Sequence, residues 1–405
     1  MNIILFSHPV FMSSQSMPRF TRMLEQAYIE RGHQVQVWSP QPKAYTLVSK
    51  SSLSKWAGYI DQYILFPLWV RKQVKIQPTN TLYVFCDQAL GPWVPLVKNK
   101  PHVVHVHDIL ALRSALDDIP ENPTSWSGKL YQRYIRHGFK QAKHFISISK
   151  KTRDDLQYFG QVSPVTSEVV YNGLNYPYTP MPQNEAISIL CQADLPAQVN
   201  GMLLHLGGSQ WYKNLAGVIS LYIEYAKSEK TPLPLWCISP PPNSKVQLLL
   251  KDVPSQGQVL FFQSIDNQAL QAAYSMARVF LLPSLAEGFG WPIIEAQASG
   301  CPVITSNAAP MNEIGGPAAR YIPLLKHTDD VGSWALNSVA TLKSILALPE
   351  AQRACLVEQG LAHAAKFNAE DAIEGYLKIY QRVQSHSITE QNFNKKSLIA
   401  RKKVS

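Results

Sequence analysis

The sequence predicts an α/β protein of two Rossmann-like domains, each a parallel sheet covered by helices. Three observations carry that reading. Short β-branched runs alternate with helical periods along the whole chain. Several of these runs are apolar nearly throughout, as strands buried on both faces are. And 405 residues are too many for one ordinary core, at roughly 150 residues per domain.

The elements follow in order. In the first half, strands are expected at residues 2–6, 34–38, 81–86, 102–107, 144–149 and 168–171. In the second half they are expected at 202–206, 235–239, 258–262, 279–283, 302–306 and 320–323. Helices fit between them. Phe20, Met23, Leu24 and Ala27 share one face of the first, and Gly32 can close it. Leu215, Val218, Ile219 and Tyr222 repeat the spacing after Asn214. Ala372, Ile373, Tyr376, Leu377 and Tyr380 make another such face, with Glu370 and Asp371 well placed in its first turn. Residues 175–197, which include YPYTPMPQ, read as an interdomain linker. The end of the chain, NKKSLIARKKVS, loses apolar periodicity, gains charge and reads as a mobile basic tail.

Composition bounds the function classes. An apolar fraction of 46% is normal for a folded globular protein. The longest apolar run, residues 63–70, falls well short of the ~20 residues a membrane span needs. The opening MNIILFSHP has no basic region ahead of its apolar run, so it reads as a first buried strand and not a signal peptide. The five cysteines fit no metal or disulfide spacing and are expected to be buried reduced thiols in a cytosolic protein. A formal charge of +10 suits nucleic acid, an anionic membrane or phosphorylated substrates, with ordinary surface variation as the bland alternative. No nucleic-acid-binding motif accompanies the charge.

The most informative stretch is VFLLPSLAEGFGWPIIEAQASGCPVITS, residues 279–306. It reads as strand, tight loop, helix, strand. Pro292 suits the first helical position and Gly300 the C-terminal cap. Gly288 and Gly290 let a ligand approach the main chain, and the free N–H groups of a helix start favour phosphate. Glu287 before the helix and Glu295 on its first turn could bracket ligand hydroxyls. The alternative is a tight turn with two solvated glutamates. Earlier, Lys213 follows a strand and a glycine pair and precedes a helix. A cation there opposes the helix dipole and needs a reason. A diphosphate gaining charge as it leaves would supply one. A surface lysine is the alternative.

Three histidines, His102, His105 and His107, lie in one strand, and alternation puts 105 and 107 on one face. No further ligand at zinc spacing accompanies them. His105 reads as structural. Two stretches mix aromatics with cations. Trp56, Tyr59, Tyr63, Phe66 and Trp69 run into Arg71, Lys72 and Lys75. Residues 129–144 carry Arg133, Arg136, Lys140 and Lys143 among Tyr131, Tyr134 and Phe139. Either these are interfacial helices for anionic lipid, or core stripes with solvated basic faces.

Glu287 and Glu295, with seven residues between them and followed by Ala296-x-Ala298-x-Gly300-x-Pro302-Val303-Ile304, resemble the signature of family 4 of the retaining glycosyltransferases. Thr152-Arg153-Asp154-Asp155, Val170-Tyr171-Asn172-Gly173 and Gly207-Gly208-Ser209-Gln210-Trp211-Tyr212-Lys213-Asn214 are similar to further motifs of that family. The resemblance spans nearly the whole chain. It implies a GT-B fold, with two Rossmann-like domains facing across a cleft. Residues 1–178 would be the acceptor domain and 190–366 the nucleotide-sugar domain. Residues 367–385 would be a helix returning to the N-domain, and 386–405 the basic tail.

The same resemblance implies sugar transfer from a nucleotide-sugar to an acceptor hydroxyl, with retention, in polysaccharide or glycoconjugate synthesis. His107, Lys213 and Glu287 would be catalytic. Gly208, Lys213, Asn214, Glu287, Gly288, Phe289, Gly290, Trp291 and Glu295 would bind the donor, with Glu287 on the sugar and Glu295 on the ribose. Ser13, Ser14, Gln15 and Asp108 would face the acceptor. No metal or cofactor is implied, because Lys213 and backbone N–H groups can serve the diphosphate. Two departures stand out: Tyr212 occupies a position where the family often has arginine, and serines replace paired glycines in the loop at 7–18. Arg278 is a candidate for the missing cation. The rival readings are a nucleotide-sugar epimerase on the same fold and a non-catalytic nucleotide-sugar-binding protein. The expected location is the cytoplasm, with peripheral contact to an anionic membrane as an option.

Overall fold

The computed structural model describes residues 1–11, 16–48 and 53–402, and the side chains of 1–11, 17–48 and 53–386. The chain forms two compact units. One comprises Met1–Ile119, Pro123–Tyr171 and Glu370–Ser405; the other comprises Pro120–Asn122 and Asn172–Ala369.

The first unit holds β1 (Asn2–Phe6), β2 (Gln34–Trp38), β3 (Leu82–Phe85), β4 (His102–Val106), β5 (His144–Ser147) and β6 (Thr166–Val169). They pair in parallel in the order β2-β1-β3-β4-β5-β6. The order reverses between β1 and β3, which makes that position a switch point. On one face, Phe6 stacks on Phe85 at 4.5 Å, and Trp38, Phe66 and Trp93 close the core. On the other face, Ile3, Leu5, Leu24 and Tyr28 pack with Ile373, Tyr376 and Tyr380 of the Ala369–Lys402 helix. The Tyr28 hydroxyl donates to the Tyr380 oxygen, 3.2 Å away. Tyr380 in turn donates to Nε2 of His105.

The second unit holds β7 (Met202–Leu206), β8 (Leu235–Ile238), β9 (Val259–Phe262), β10 (Ala277–Leu282), β11 (Val303–Ser306) and β12 (Arg320–Ile322). Their parallel order is β12-β11-β10-β7-β8-β9. Renumbered within the unit, this is the 3-2-1-4-5-6 dinucleotide-binding order, reversing between β7 and β10. Leu203, Val218, Tyr222, Leu281 and Ile304 sit in its core.

Several expectations change. The region at 175–197 is not merely a linker. It contains the Gln183–Gln192 helix, whose Ala186 and Leu190 are fully buried, because they fall one turn apart and face the Asn267–Met276 helix. Met23 is exposed. The buried face of the Ser16–Glu30 helix runs through Phe20, Leu24 and Tyr28, a strict four-residue repeat. Helix continues past 385 to Lys402, since no glycine or proline interrupts it after Gly375. Three cysteines are buried, but Cys191 and Cys355 are exposed on helices of the second unit. No single described helix is long and apolar enough to cross a membrane.

Tyr380→Phe strands a buried nitrogen of His105 and the Tyr28 hydroxyl. Chemical denaturation should register a loss of about 1–3 kcal/mol. Burial pushes the imidazoles of His105 and His205 down from 6.5 to about 3 and about 4. Both are therefore neutral in the native protein, while the unfolded chain takes up their protons below 6.5. Their contribution is complete above that value and is lost as the pH falls toward 4 and then 3. Melting temperature should therefore fall between pH 6.5 and 4, and a flat profile would contradict this reading.

Candidate active site

The switch point of the second unit lies between two neighbouring parallel strands, β7 and β10, and its loops carry the candidate chemistry. After β7 the chain passes Gly207 and Gly208 into a short 3₁₀ turn, Trp211–Lys213. Asn214 then takes a left-handed conformation, φ 54°, and opens the Leu215–Ser228 helix. Its Oδ1 accepts from the Gly217 N–H at 3.1 Å, and its Nδ2 donates to the Pro283 carbonyl at 2.9 Å. The Leu285 N–H donates to the Tyr212 carbonyl at 2.8 Å. The loop after β7 is thus stapled to the loop after β10. Asn214 is buried with both ends of its side-chain amide in use, and so it braces the two loops.

Between the staples lies an ion pair. Lys213 Nζ donates to Glu287 Oε1 at 2.7 Å, and the Ser284 hydroxyl donates to the same oxygen at 2.8 Å. The side chains are only 15% and 7% exposed, so this pair is poorly screened by water. The ammonium also sits 5.5 Å from the Tyr212 ring centroid, so the residue in the usual arginine position touches the lysine through its π face. Beneath them, His205 is fully buried. Its Nδ1 donates to the Leu281 carbonyl at 2.8 Å, and Nε2 has no partner among the described residues. A Cβ on Gly207 would stand 2.8 Å from that nitrogen and 3.2 Å from Lys213 Cβ, so only glycine fits there.

A cavity of about 420 Å³ opens over this loop, lined by Gly207, Gly208, Lys213, Ser239, Phe262 and Pro292. It lies at the carboxyl ends of β7, β8 and β9, where open α/β sheets bind ligands. An adjoining cavity of about 470 Å³ shares Gly208 and Gln210 and adds Lys245 and Lys326. These two lysines carried no sequence signal. Arg278 cannot supply the missing cation. It lies near the start of β10, beside Gly201 and ahead of β7, at the opposite end of the strands.

The loop after β10 differs from expectation by one position. Gly290 is left-handed, φ 97°, and caps a helix that begins at Trp291. Pro292 is therefore the second helical residue, and Glu295 sits on the second turn, not the first. Glu295 is buried and accepts from the Tyr274 hydroxyl at 3.2 Å. Phe289 is buried against Phe367, and the Trp291 indole donates to the Gly173 carbonyl at 3.1 Å. The side chains of Phe289 and Trp291 thus brace the loop.

In the first unit, the switch point between β1 and β3 carries a pair that the sequence did not reveal. His8 Nε2 lies 2.8 Å from Asp87 Oδ2. Burial works to raise the Asp87 carboxyl, but the hydrogen bond with His8 and the neighbouring imidazoles of His8 and His107 outweigh it and hold it below the usual range. His107, at the end of β4, donates through Nε2 to the Cys86 carbonyl at 2.9 Å, and its Nδ1 has no partner among the described residues. Burial lowers its pKa against the pull of Asp87, so the ring is neutral. Asp108 accepts from the Leu110 N–H at 3.0 Å and so caps the next helix. Ser13, Ser14 and Gln15 lie outside the described residues. Among the described residues, no three His, Cys, Asp or Glu side chains converge as a metal site.

Two parallel Rossmann-like sheets in one chain, the second with a glycine loop, an ammonium and a carboxylate at its switch point, define the GT-B class. The solved structures agree in fold. Sucrose-phosphate synthase from Thermosynechococcus elongatus superposes with a TM-score of 0.70 at 18% identity, over 95% of this chain and all of that one. WaaG, a glycosyltransferase of lipopolysaccharide biosynthesis, gives 0.66 at 15%, over 94% and 99%. Two family models match: Glycosyltransferase Family 4 over residues 17–176 and Glycosyl transferases group 1 over 198–321. Together they span well over half of the chain. The O-antigen chain mannosyltransferase RfbU of Salmonella typhimurium is 27% identical over 71% of this chain and 72% of its own length. The O-antigen chain mannosyltransferase B of Escherichia coli is 26% identical over 62% and 63%. The chain belongs to glycosyltransferase family 4, the group 1 glycosyl transferases, and is a glycosyltransferase.

Lys213→Met leaves the Glu287 carboxylate buried beside a single hydroxyl. Denaturation should show a loss on the order of 3 kcal/mol, largely restored by adding Glu287→Gln. Equal additive losses would mean that the pair is not coupled.

Proposed function

We propose that the chain is a retaining hexosyltransferase. It would move mannose or a related hexose from a nucleoside-diphosphate donor to a hydroxyl of a lipid-linked or polysaccharide acceptor, in synthesis of an O-antigen-like glycan. One observation carries this reading: the Lys213–Glu287 pair at the mouth of the second unit's switch point. It occurs in a chain related to two O-antigen chain mannosyltransferases.

The pair suits a donor diphosphate. Without a ligand, each charge neutralises the other. A bound diphosphate would compete for the ammonium and free Glu287 Oε1 for the sugar hydroxyls. The Gly207 N–H is taken by the Ile238 carbonyl, so the backbone N–H groups for the phosphates would come from the loop at Gly208 and the helix start at Trp291. Glu295, steadied by Tyr274, is assigned to the ribose. In the transfer, the bond from the anomeric carbon to the phosphate oxygen breaks, and its electron pair leaves on the diphosphate. The acceptor oxygen bonds to the same face of that carbon, and its proton passes to the departing phosphate. Lys213 stabilises the charge that develops there, and positioning supplies the rest.

The first unit is assigned to the acceptor. His107 would serve the transferring sugar, and Asp108 and the loop with Ser13, Ser14 and Gln15 the acceptor. Diphosphate handling is metal-free in this reading. The reaction is placed in the cytoplasm, with peripheral contact to an anionic membrane where a lipid-linked acceptor would lie.

Lys213→Ala and Glu287→Ala should each lower kcat by about 10²–10³-fold in transfer from the cognate nucleotide-sugar. Chelator should leave the wild-type rate unchanged. Full activity in both variants would sink the assigned roles. Product formed from donor alone, without acceptor, would instead favour epimerisation.

A further inference from the structure

We propose that the helical face formed by residues 53–76 and the Trp126–Phe139 helix docks the first unit on an anionic lipid surface. The inference rests on the reading of the acceptor as lipid-linked, and it assigns the surface that meets the lipid.

The first observation is a pair of exposed apolar stripes. Trp56, Ile60, Ile64 and Leu68 recur every four residues and are 43–65% exposed. Trp126, Leu130 and Tyr134 repeat the same spacing and are 41–76% exposed. A four-residue repeat on a regular α-helix drifts by about 40° per step. Here the Ser54–Ile60 and Phe66–Ile76 helices are joined by a π turn, Asp61–Leu65. The wider turn absorbs part of the drift and keeps the stripe on one side. Exposed stripes of this size need an occupant.

The second observation joins the two stripes. The Tyr63 and Tyr131 hydroxyls lie 2.6 Å apart, Tyr59 stacks on Tyr131 at 6.1 Å, and Tyr63 meets Tyr134 edge-on at 5.6 Å. An aromatic seam therefore makes one surface of two helices.

The third observation is charge, and it selects the occupant. The Trp126–Phe139 helix contains Lys129, Arg133 and Arg136 and no acid. Along 53–76 the cations are Lys55, Arg71, Lys72 and Lys75. The one acid there, Asp61, is buried and accepts from the Ala44 and Tyr45 N–H groups at 2.8 and 2.9 Å. Among the described residues, Arg71, Lys72, Lys75 and Arg133 form no ion pair. Indole and aliphatic side chains flanked by unpaired cations fit an anionic bilayer interface: apolar groups enter the headgroup boundary and cations meet phosphates.

The test is co-sedimentation of the full chain with vesicles of phosphatidylglycerol and phosphatidylethanolamine, against phosphatidylcholine alone, at low and high salt. Two variants are compared, Trp56→Ser with Leu68→Ser, and Arg71→Glu with Lys72→Glu. Their melting temperatures and the thermal shift given by a panel of nucleoside-diphosphate hexoses are read in parallel. Binding to the anionic vesicles should weaken with salt and fall at least about tenfold in each variant, with melting and donor shift unchanged. A wild-type chain that stays in the supernatant, or variants that pellet like it, overturns the surface even with an intact donor shift. Absence of a donor shift in the wild type sinks the functional reading instead and leaves the vesicle result standing. A dimer that both variants dissociate makes a second copy the occupant and overturns the proposal.

Discussion

The arrangement of the candidate site depends on one constraint: two parallel neighbouring strands send their chains in opposite directions at the β7–β10 boundary. That reversal opens a gap at the carboxyl ends, and a gap lined by backbone has to be held open. Two hydrogen bonds and one ion pair hold it. Asn214 and Tyr212 tie the loops through the main chain, and Lys213 meets Glu287 between those ties. Any ligand that draws Lys213 away acts on a frame already fixed by the neighbouring bonds. The frame gives rigidity; the ion pair gives an exchangeable charge.

The two units solve the burial of polar groups differently. The first keeps neutral rings in its interior. His105 ends a chain of tyrosine hydroxyls, and His107 is pinned by a backbone carbonyl. Its switch point carries the His8–Asp87 pair. The second unit instead keeps a full ammonium and a carboxylate close to its loop surface, with neutral His205 underneath. A buried neutral ring holds geometry without competing for an incoming anion. A charged pair recruits that anion. The contrast agrees with assigning positioning and the acceptor to the first unit and diphosphate chemistry to the second.

Sequence periodicity made the sheets legible, because strands buried on both faces leave runs of Val, Ile, Leu and Phe that little else produces. It made Lys213, Gly208 and Glu287 legible too, since strand–glycine–helix punctuation is local. What escaped was either non-local or conformational. His8 and Asp87 lie 79 residues apart, and Tyr28 and Tyr380 are 352 apart, so no spacing links them. The helix start was misplaced because the left-handed Gly290 serves as its cap and passes the first helical position to Trp291. The helix inside 175–197 was hidden by flanking prolines, although Ala186 and Leu190 carried its period. The bracing by Phe289 and Trp291 was not legible either. Their packing against Phe367 and Gly173 depends on chain far away in sequence.

The positive charge of the chain also becomes more specific. A formal +10 spread evenly would say only that the surface is cationic. It is not spread evenly. The Trp126–Phe139 helix has no acid at all, and the only acid of residues 53–76 is withdrawn into the interior to cap a neighbouring helix. Removing a carboxylate from a surface raises its potential as surely as adding a lysine does. Placing large apolar side chains on that same surface would be a liability for a freely tumbling protein. The combination is costly in water and favourable at a headgroup boundary, where apolar groups leave water and cations find phosphates. A core stripe with a solvated basic face would bury the apolar residues. Here Trp56, Ile64, Leu68 and Trp126 are at least half exposed, and that exposure is what supports the proposed docking surface.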